Sequence, residues 1–408
     1  MKQRVVITGM GVVSPIGNSV AEFSQNLLAG VSGVGRITLF DASALPTSIA
    51  AEVKWSGPIL RDRKITFARK AAAQAWRAAT ATGPLAGDGR LSIGMGLELF
   101  SLEDVARARE PGFALPESSR ERLLFLQTPS DLSAYAISDE YGMQRPPIIH
   151  VSACAAGTDA IGAAFRQIAS GRCTWMLAGG ADSMINPLGL GGFCKLNALS
   201  TRNDEPARAS RPFDRGRDGF VLGEGAGMMV LESLDSARQR GAEIFAEIIG
   251  YGNSFDAHGI SEPHPEARGA IAAMRRALAD AGFEPEAVDC INAHGTSTPK
   301  NDPVETLAIK QVFGARAAKI PVCATKSMIG HLISAAGAVE AVAAVAGLRS
   351  GKVHPTLNLD EADPACDLDY VPGTARHFPH RVVLSNSFAF GGQNASIILQ
   401  RYEGGTGP

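Results

Sequence analysis

Cys154 sits in PIIHVSACAAGTDAIG, residues 147–162, where an apolar run meets a stretch of small residues. Ile148 to Val151 reads as a buried strand, and Ala155 to Ile168 as an alanine-rich helix stopped at Gly171. The thiol falls at the junction, the arrangement of a nucleophile elbow. Unpaired N–H groups and the helix dipole at such a place favour thiolate, the form of cysteine that attacks carbonyl carbon. A packed small residue is the competing reading for a lone cysteine in apolar surroundings. Three more stretches carry reactive or positioning groups. NAHGTSTPKND, residues 292–302, holds His294 in a polar turn, and ATKSMIGHLISAAGAVE, residues 324–340, sets Lys326 and His331 around a glycine turn. SNSFAFGGQNAS, residues 385–396, puts Phe388 and Phe390 beside Gly391 and Gly392. Paired glycines let a backbone approach a ligand closely and leave N–H groups free to hold an oxyanion. The alternatives are a structural hydrogen bond for each histidine and a tight turn with two core aromatics for the last stretch.

The elements that must position these groups alternate between strand and helix. The first half reads as strand Val5 to Thr8, helix Val20 to Ala29, helix Arg69 to Thr80, strand Leu91 to Met95 and a helix-loop region Leu102 to Glu121. A helix after Pro129 runs to Tyr141, with Asp131, Asp139 and Glu140 expected on a solvated face. Beyond the Cys154 helix come strand Trp175 to Ala178, closed by Gly179 and Gly180, a loop from Asn186 to Ser210, strand Gly227 to Leu231 and helix Ser233 to Arg240. The pattern then restarts: strand Glu247 to Tyr251, helix Pro265 to Ala281, strand Ala287 to Asn292, helix Pro303 to Val312, strand Pro321 to Thr325 and helix Ser334 to Ser350. Such alternation predicts an α/β fold with helices covering a mixed or parallel sheet, duplicated as residues 1–240 and 241–408 packed face to face. Each histidine then follows a strand, and ligands bind at the carboxyl ends of strands in open α/β sheets. Gly9 and Gly11 do not form a dinucleotide fingerprint, because the next glycine is Gly17 and Pro15 interrupts the helix start.

Composition narrows the partners. A net charge of −2 without any Lys/Arg cluster argues against nucleic acid or an anionic membrane, and leaves a small acidic carrier reached through a local patch. The six cysteines show no C-x-x-C pair and no zinc spacing, so they read as free thiols of a reducing compartment. Gly9, Gly11 and Pro15 break the first apolar run too early for a signal peptide, and no run of about 18 uninterrupted apolar residues follows. The expected location is cytoplasmic.

Taken together and in order, VSACAAGTDAIG, GFVLGEGAG, NAHGTSTPKND, TKSMIGHLISAAGAVE and SFAFGGQNAS resemble the elongating beta-ketoacyl-acyl carrier protein synthases of the synthase II type. The resemblance spans Val5 to about Gln400. It implies the duplicated thiolase-like fold, layered α-β-α-β-α, and a Cys-His-His set. Carried over, Cys154 accepts the acyl group, while His294 and His331 stabilise the enolate left when a malonyl thioester loses carbon dioxide. Lys326 orders the site, paired with Glu340. The amides of Cys154 and Phe390 form the oxyanion hole, and Phe390 also gates acyl access. No metal, flavin or nucleotide cofactor is implied. Initiating synthases carry asparagine at the place of His331, thiolases use a second cysteine, and chain-length factors lack the nucleophile. A chain-length-factor-like subunit that shapes a partner's pocket is the alternative function.

The resemblance also implies acyl carrier protein bearing acyl or malonyl groups as partner. It implies a homodimer, or a heterodimer with a synthase-like paralogue, in contact through Trp175 to Ala178 and Leu123 to Tyr141. Lys64, Arg69 and Arg208 are the candidate carrier-docking cations. Departures from the family pattern bear on substrate. The gate reads FAFGGQN where FGFGGTN is commoner, so Ala389 restricts its swing and Gln393 adds a polar group; Glu262 stands where proline is common. Gln127, Asp131, Asp139 and Glu140 in the expected acyl wall suggest a polyene or polyketide-like chain.

Overall fold

Runs rich in Val, Ile and Leu pair into one sheet of ten strands, whose order repeats across the two halves of the chain. The computed structural model describes residues 2–97, 99 and 129–404. The expected helix-loop region Leu102 to Glu121, Gln127 and the last four residues lie outside that description. The first-half strands are β1 (Val5–Val13), β2 (Arg90–Met95), β3 (Ile148–His150), β4 (Trp175–Ser183) and β5 (Glu224–Ser233). The second-half strands are β6 (Ala246–Phe255), β7 (Cys290–Asn292), β8 (Val322–Cys323), β9 (Val382–Phe388) and β10 (Gln393–Gln400). Across the sheet they run β8-β7-β9-β10-β6 and then β1-β5-β4-β2-β3. Each half thus has the same order, mirrored about the β6/β1 seam. Each also has the same directions: β5 is antiparallel to β1 and β4 while β2 is parallel to β4 and β3, as β10 is to β6 and β9, and β7 to β9 and β8. Three residue pairs, Val5 with Ile248 through Ile7 with Ala246, join the halves.

The helices are α1 (Val20–Ala29), α2 (Arg63–Ala79), α3 (Pro129–Glu140), α4 (Ala156–Ala169), α5 (Pro187–Lys195), α6 (Leu234–Gln239), α7 (Arg268–Ala281), α8 (Asn301–Phe313), α9 (Lys326–Ile329) and α10 (Ala336–Ser350). Helix α2 covers β1, β5 and β4 on one outer face, and α7 covers β6 and β10 on the other. Between them α4 and α10 lie against each other and touch strands of both halves. This is the five-layered α-β-α-β-α arrangement, with the small residues of α4 and α10 allowing the close approach. Helix α10 with its preceding turn, Ile333–Ser350, is apolar enough to resemble a membrane span, but 89% of it is buried inside this fold.

Several sequence expectations change. Strand β1 does not end at Thr8 but runs through Gly9 and Gly11 to Val13, because those glycines lie under α2. A Cβ on Gly11 would stand 1.9 Å from the Ala71 carbonyl oxygen, and one on Gly9 2.0 Å from that of Ala75. Likewise β4 continues through Gly179 and Gly180 to Ser183. The expected loop from Asn186 holds helix α5, capped by the Asn186 side chain on the Gly189 N–H at 2.9 Å, with Pro187 in its first turn. Its glycines hid the helical pattern. The expected dimer strand Trp175 to Ala178 is wrong for that role: it is buried in β4 between β2 and β5, with no free edge. Among the described residues the edge strand on that side of the sheet is β3, beyond which Val151 is 60% exposed and Tyr135 of α3 is 66% exposed. On α3, Asp139 and Glu140 face solvent, as expected of a solvated face, and Glu140 pairs with Arg69 at 2.9 Å.

Replacing Gly11 with alanine should force α2 off the sheet and cost about 1–3 kcal/mol. Urea denaturation at equilibrium measures this, and an unchanged midpoint would show that the helix can move away freely.

Candidate active site

Cys154 is the central residue of a 3₁₀ turn, Ala153–Ala155, that follows the loop after β3 and leads directly into α4. Ala153 has φ 46°, a left-handed conformation that a residue with a Cβ adopts only when its surroundings impose it. The Ser152 hydroxyl on the Asp159 carboxylate, at 2.5 Å, and the Tyr251 hydroxyl on the same group, at 2.6 Å, tie this turn to α4 and β6. Cys154 is buried, and the Phe390 N–H and its own N–H act on the thiol in the direction that favours thiolate. Burial nevertheless pushes the thiol up to about 11, with the Phe390 amide and the Lys326 charge pulling the other way. Desolvation thus works against the thiolate that the helix terminus favours, and the Cys154 thiol lies above its ordinary value.

His294 follows β7, and His331 follows the short helix α9 that starts at Lys326. The sulfur of Cys154 and one ring nitrogen of each histidine all lie within 4.8 Å of one another. The two imidazoles stand nearly perpendicular, with ring centres 5.3 Å apart. Burial, then the Lys326 charge, pushes both imidazoles well below the ordinary histidine value, so both are neutral. Their tautomers follow from their partners. Nδ1 of His331 accepts the Ile333 N–H at 3.1 Å, and Nδ1 of His294 faces the Lys326 ammonium at 3.3 Å. An ammonium can only donate. Each ring consequently carries its proton on Nε2, which makes that nitrogen a donor. Lys326 is neutralised by a close contact with Glu340 on α10, both fully buried.

The remaining motif stretches position these groups. GFVLGEG brackets His331 by backbone: the His331 N–H donates to Val221 at 2.7 Å, and the Gly223 N–H donates to His331 at 2.9 Å. The Phe220 ring meets the His331 imidazole edge-on at 5.2 Å. Phe388 lies 5.9 Å from the His294 ring, and Phe390 lies 6.5 Å from both Phe193 and Phe220. Gly391 and Gly392 have φ of 82° and 78°, the left-handed backbone this turn needs. A cavity of about 360 Å³ opens from Cys154, His294 and His331 past Thr296, Thr298 and Phe390 to solvent. Ala389 lines it, Gln393 does not, and Glu262 sits at its rim in contact with Lys300.

Sequence reasoning missed the acids beneath the site. Glu305 on α8 accepts the N–H groups of His294 and Gly295, each at 2.8 Å, and burial pushes its carboxyl up to about 7. Asp302, one turn earlier, accepts the N–H groups of Phe213 at 2.9 Å and Thr296 at 3.1 Å. The signal was two acids three residues apart at a helix start just after the histidine loop. Of the candidate docking cations, Lys64 is buried against Asp62 and cannot face a carrier. Arg69 and Arg208 are exposed and paired with Glu140 and Asp360, at 2.9 and 2.6 Å. Asp139 and Glu140, expected in the acyl wall, do not line the cavity.

A duplicated five-layered fold with a buried cysteine and two neutral imidazoles at its seam defines the thiolase-like class of condensing enzymes. Within that class the chain belongs to the beta-ketoacyl synthase family: the family's N-terminal domain matches residues 2–237 and its C-terminal domain residues 245–360. It is 46% identical to a 3-oxoacyl-[acyl-carrier-protein] synthase 2 of Coxiella burnetii, over 98% of this chain and 99% of that one. Among solved structures it resembles a ketosynthase in complex with its type II polyketide acyl carrier protein, with a TM-score of 0.90 and 32% identity over 98% of this chain and 100% of that one. It also resembles the ishigamide ketosynthase/chain length factor, with a TM-score of 0.87 and 35% identity over 99% of this chain and 100% of that one.

A thiol raised by burial has a kinetic signature. Alkylation of Cys154 by iodoacetamide should rise about tenfold per pH unit between pH 7 and 9, because the thiolate fraction grows that way below the pKa. Mass spectrometry of the Cys154 peptide reads the rate; a plateau near neutrality would show a thiolate at rest.

Proposed function

We propose that the chain is a beta-ketoacyl-acyl carrier protein synthase, elongating fatty acid, polyene or type II polyketide chains by decarboxylative Claisen condensation. The observation that carries the reading is the convergence of Cys154 with two Nε2–H donors and two oxyanion-type amides in one buried cavity. In the first half-reaction the Cys154 sulfur adds to an acyl thioester held on acyl carrier protein. The oxyanion rests on the Cys154 and Phe390 amides, and the thiol proton leaves with the carrier's sulfur as the acyl-cysteine forms. In the second, the carbon–carboxylate bond of malonyl-carrier breaks and carbon dioxide departs. The electron pair moves onto the thioester oxygen, where the His294 and His331 Nε2–H groups hold the enolate. The enolate carbon then bonds to the acyl carbon, and collapse of the tetrahedral adduct expels the Cys154 sulfur, which recovers a proton from water. Residues 1–240 supply the nucleophile and residues 241–408 the donors.

Lys326 serves as the positioning charge, with Glu340 its counterion; Phe388, Gly391 and Gly392 shape the gate around Phe390. The expected polar acyl wall loses Asp139 and Glu140, so support for an unsaturated chain reduces to the gate, where Ala389 replaces the usual glycine. Acyl carrier protein docks at the cavity mouth, and a second copy or a synthase-like paralogue pairs along the open edge of β3. The free thiols fit a cytoplasmic site of action.

Incubation with acyl-carrier protein should add one acyl mass to the wild-type chain and none to Cys154→Ala, and the wild type should release carbon dioxide from malonyl-carrier. Loading of the alanine variant would remove Cys154 from its role. An intact chain that loads but releases no carbon dioxide without a paralogue would favour the chain-length-factor-like alternative.

A further inference from the structure

The two halves repeat the nucleophile turn as well as the sheet. Ile333 has φ 46°, the same as Ala153, and each opens a 3₁₀ turn, Ile333–Ala335 or Ala153–Ala155, that leads into a central helix. Ser334 therefore occupies in the second half the place that Cys154 occupies in the first. In the first half the amide at this place, that of Cys154, has no backbone acceptor among the described residues and lies beside the thiol. In the second half the corresponding amide is already occupied. The Ser334 N–H donates to one carboxylate oxygen of Asp182 at 3.0 Å, and the Ser183 N–H donates to the other at 2.9 Å. Asp182 is 1% exposed and lies at the end of β4, in the half that carries the nucleophile.

We infer that Asp182 is a positioning residue for His331: its carboxylate fills the second half's oxyanion hole permanently and so fixes the turn whose Ile333 amide sets the His331 tautomer. The chain of contacts is short. Asp182 holds the Ser334 amide, and the preceding amide, Ile333, donates to Nδ1 of His331 at 3.1 Å. The left-handed Ile333 is stable only while its neighbour is anchored. Without the anchor the turn can relax, Nδ1 loses its donor, and His331 is free to carry its proton on Nδ1, turning a bare Nε2 toward the enolate. The carboxylate belongs to the first half and the turn to the second, so the contact also registers the two halves at the site. A neutral carboxamide cannot replace it, because one of its two arms is a donor and would face an amide donor.

The inference rests on the condensing reading of the site, and its test separates the two. Asp182→Asn removes the anion. Gly96→Ala displaces it without changing any charge, since a Cβ on Gly96 would stand 2.3 Å from Oδ2 and 2.4 Å from Oδ1. Whichever variants keep a cooperative thermal melt are carried forward. In them, acyl loading of Cys154 should stay within about threefold of wild type, while carbon dioxide release from malonyl-carrier falls by about tenfold or more. The ¹⁵N chemical shifts of the His331 ring should move from the Nε2–H pattern of the wild type toward Nδ1–H. Retention of the wild-type ratio of decarboxylation to loading, or of the wild-type His331 spectrum, in a folded variant would overturn the inference. Absence of decarboxylation in the wild type would overturn the condensing reading instead, and the His331 spectrum would still decide the role of Asp182.

Discussion

One buried ammonium organises the catalytic centre. Lys326 sits in the core with Glu340 as its counterion, and from there it donates toward Nδ1 of His294. That contact decides which nitrogen of His294 carries the proton. The same positive charge, added to the cost of dehydrating an imidazolium, keeps both histidines neutral. Neutral imidazoles that point Nε2–H at one spot are donors to a developing negative charge and are poor bases. This suits an enolate intermediate, which needs stabilisation of charge on oxygen and is harmed by a nearby proton donor strong enough to quench its carbon. The arrangement is costly to bury, and the close Glu340 counterion and the contact with His294 offset part of that cost.

In the proposed reaction the chemistry divides between the halves along the same lines as the fold. The first half contributes the sulfur on a strained turn, and the second contributes the two donors, the ammonium and the gate. Because the halves share strand order and direction, each brings a strained turn to its own central helix, and the two helices meet in the middle layer. One turn is left open for substrate, while the other is closed by Asp182. Duplication thus supplies two equivalent anion-binding positions, of which one serves substrate and the other the protein itself. Beneath His294, Glu305 and Asp302 act in the same manner by binding backbone amides of the histidine loop.

Much of this was legible from residue types. The alternation of strand and helix indicated a duplicated α/β fold, and helix α1 occupies the expected Val20 to Ala29. Errors clustered at glycines. Gly9 and Gly11 in β1, Gly179 and Gly180 in β4, and Gly191 and Gly192 in α5 all read as breaks in the sequence, yet each lies within an element. A glycine under a crossing helix is there because no side chain fits, and nothing local distinguishes it from a glycine that turns the chain. The same limit explains the misplaced dimer strand, since burial of Trp175 to Ala178 depends on the neighbours β2 and β5, which are remote in sequence. It also explains Lys64, which by type belonged on the surface.

By its letters alone this chain resembles one family, on the joint order and spacing of five motifs, and that resemblance marks a cysteine, two histidines and a lysine for thioester chemistry. Only the tertiary structure decided their states. The protonation of Cys154, the tautomers of His294 and His331, and the service of Asp182 and Glu305 all depend on dehydration and on donors brought in from other parts of the chain. Solvent exclusion and the direction of a hydrogen bond are properties of a packed assembly, and no stretch of sequence carries them by itself.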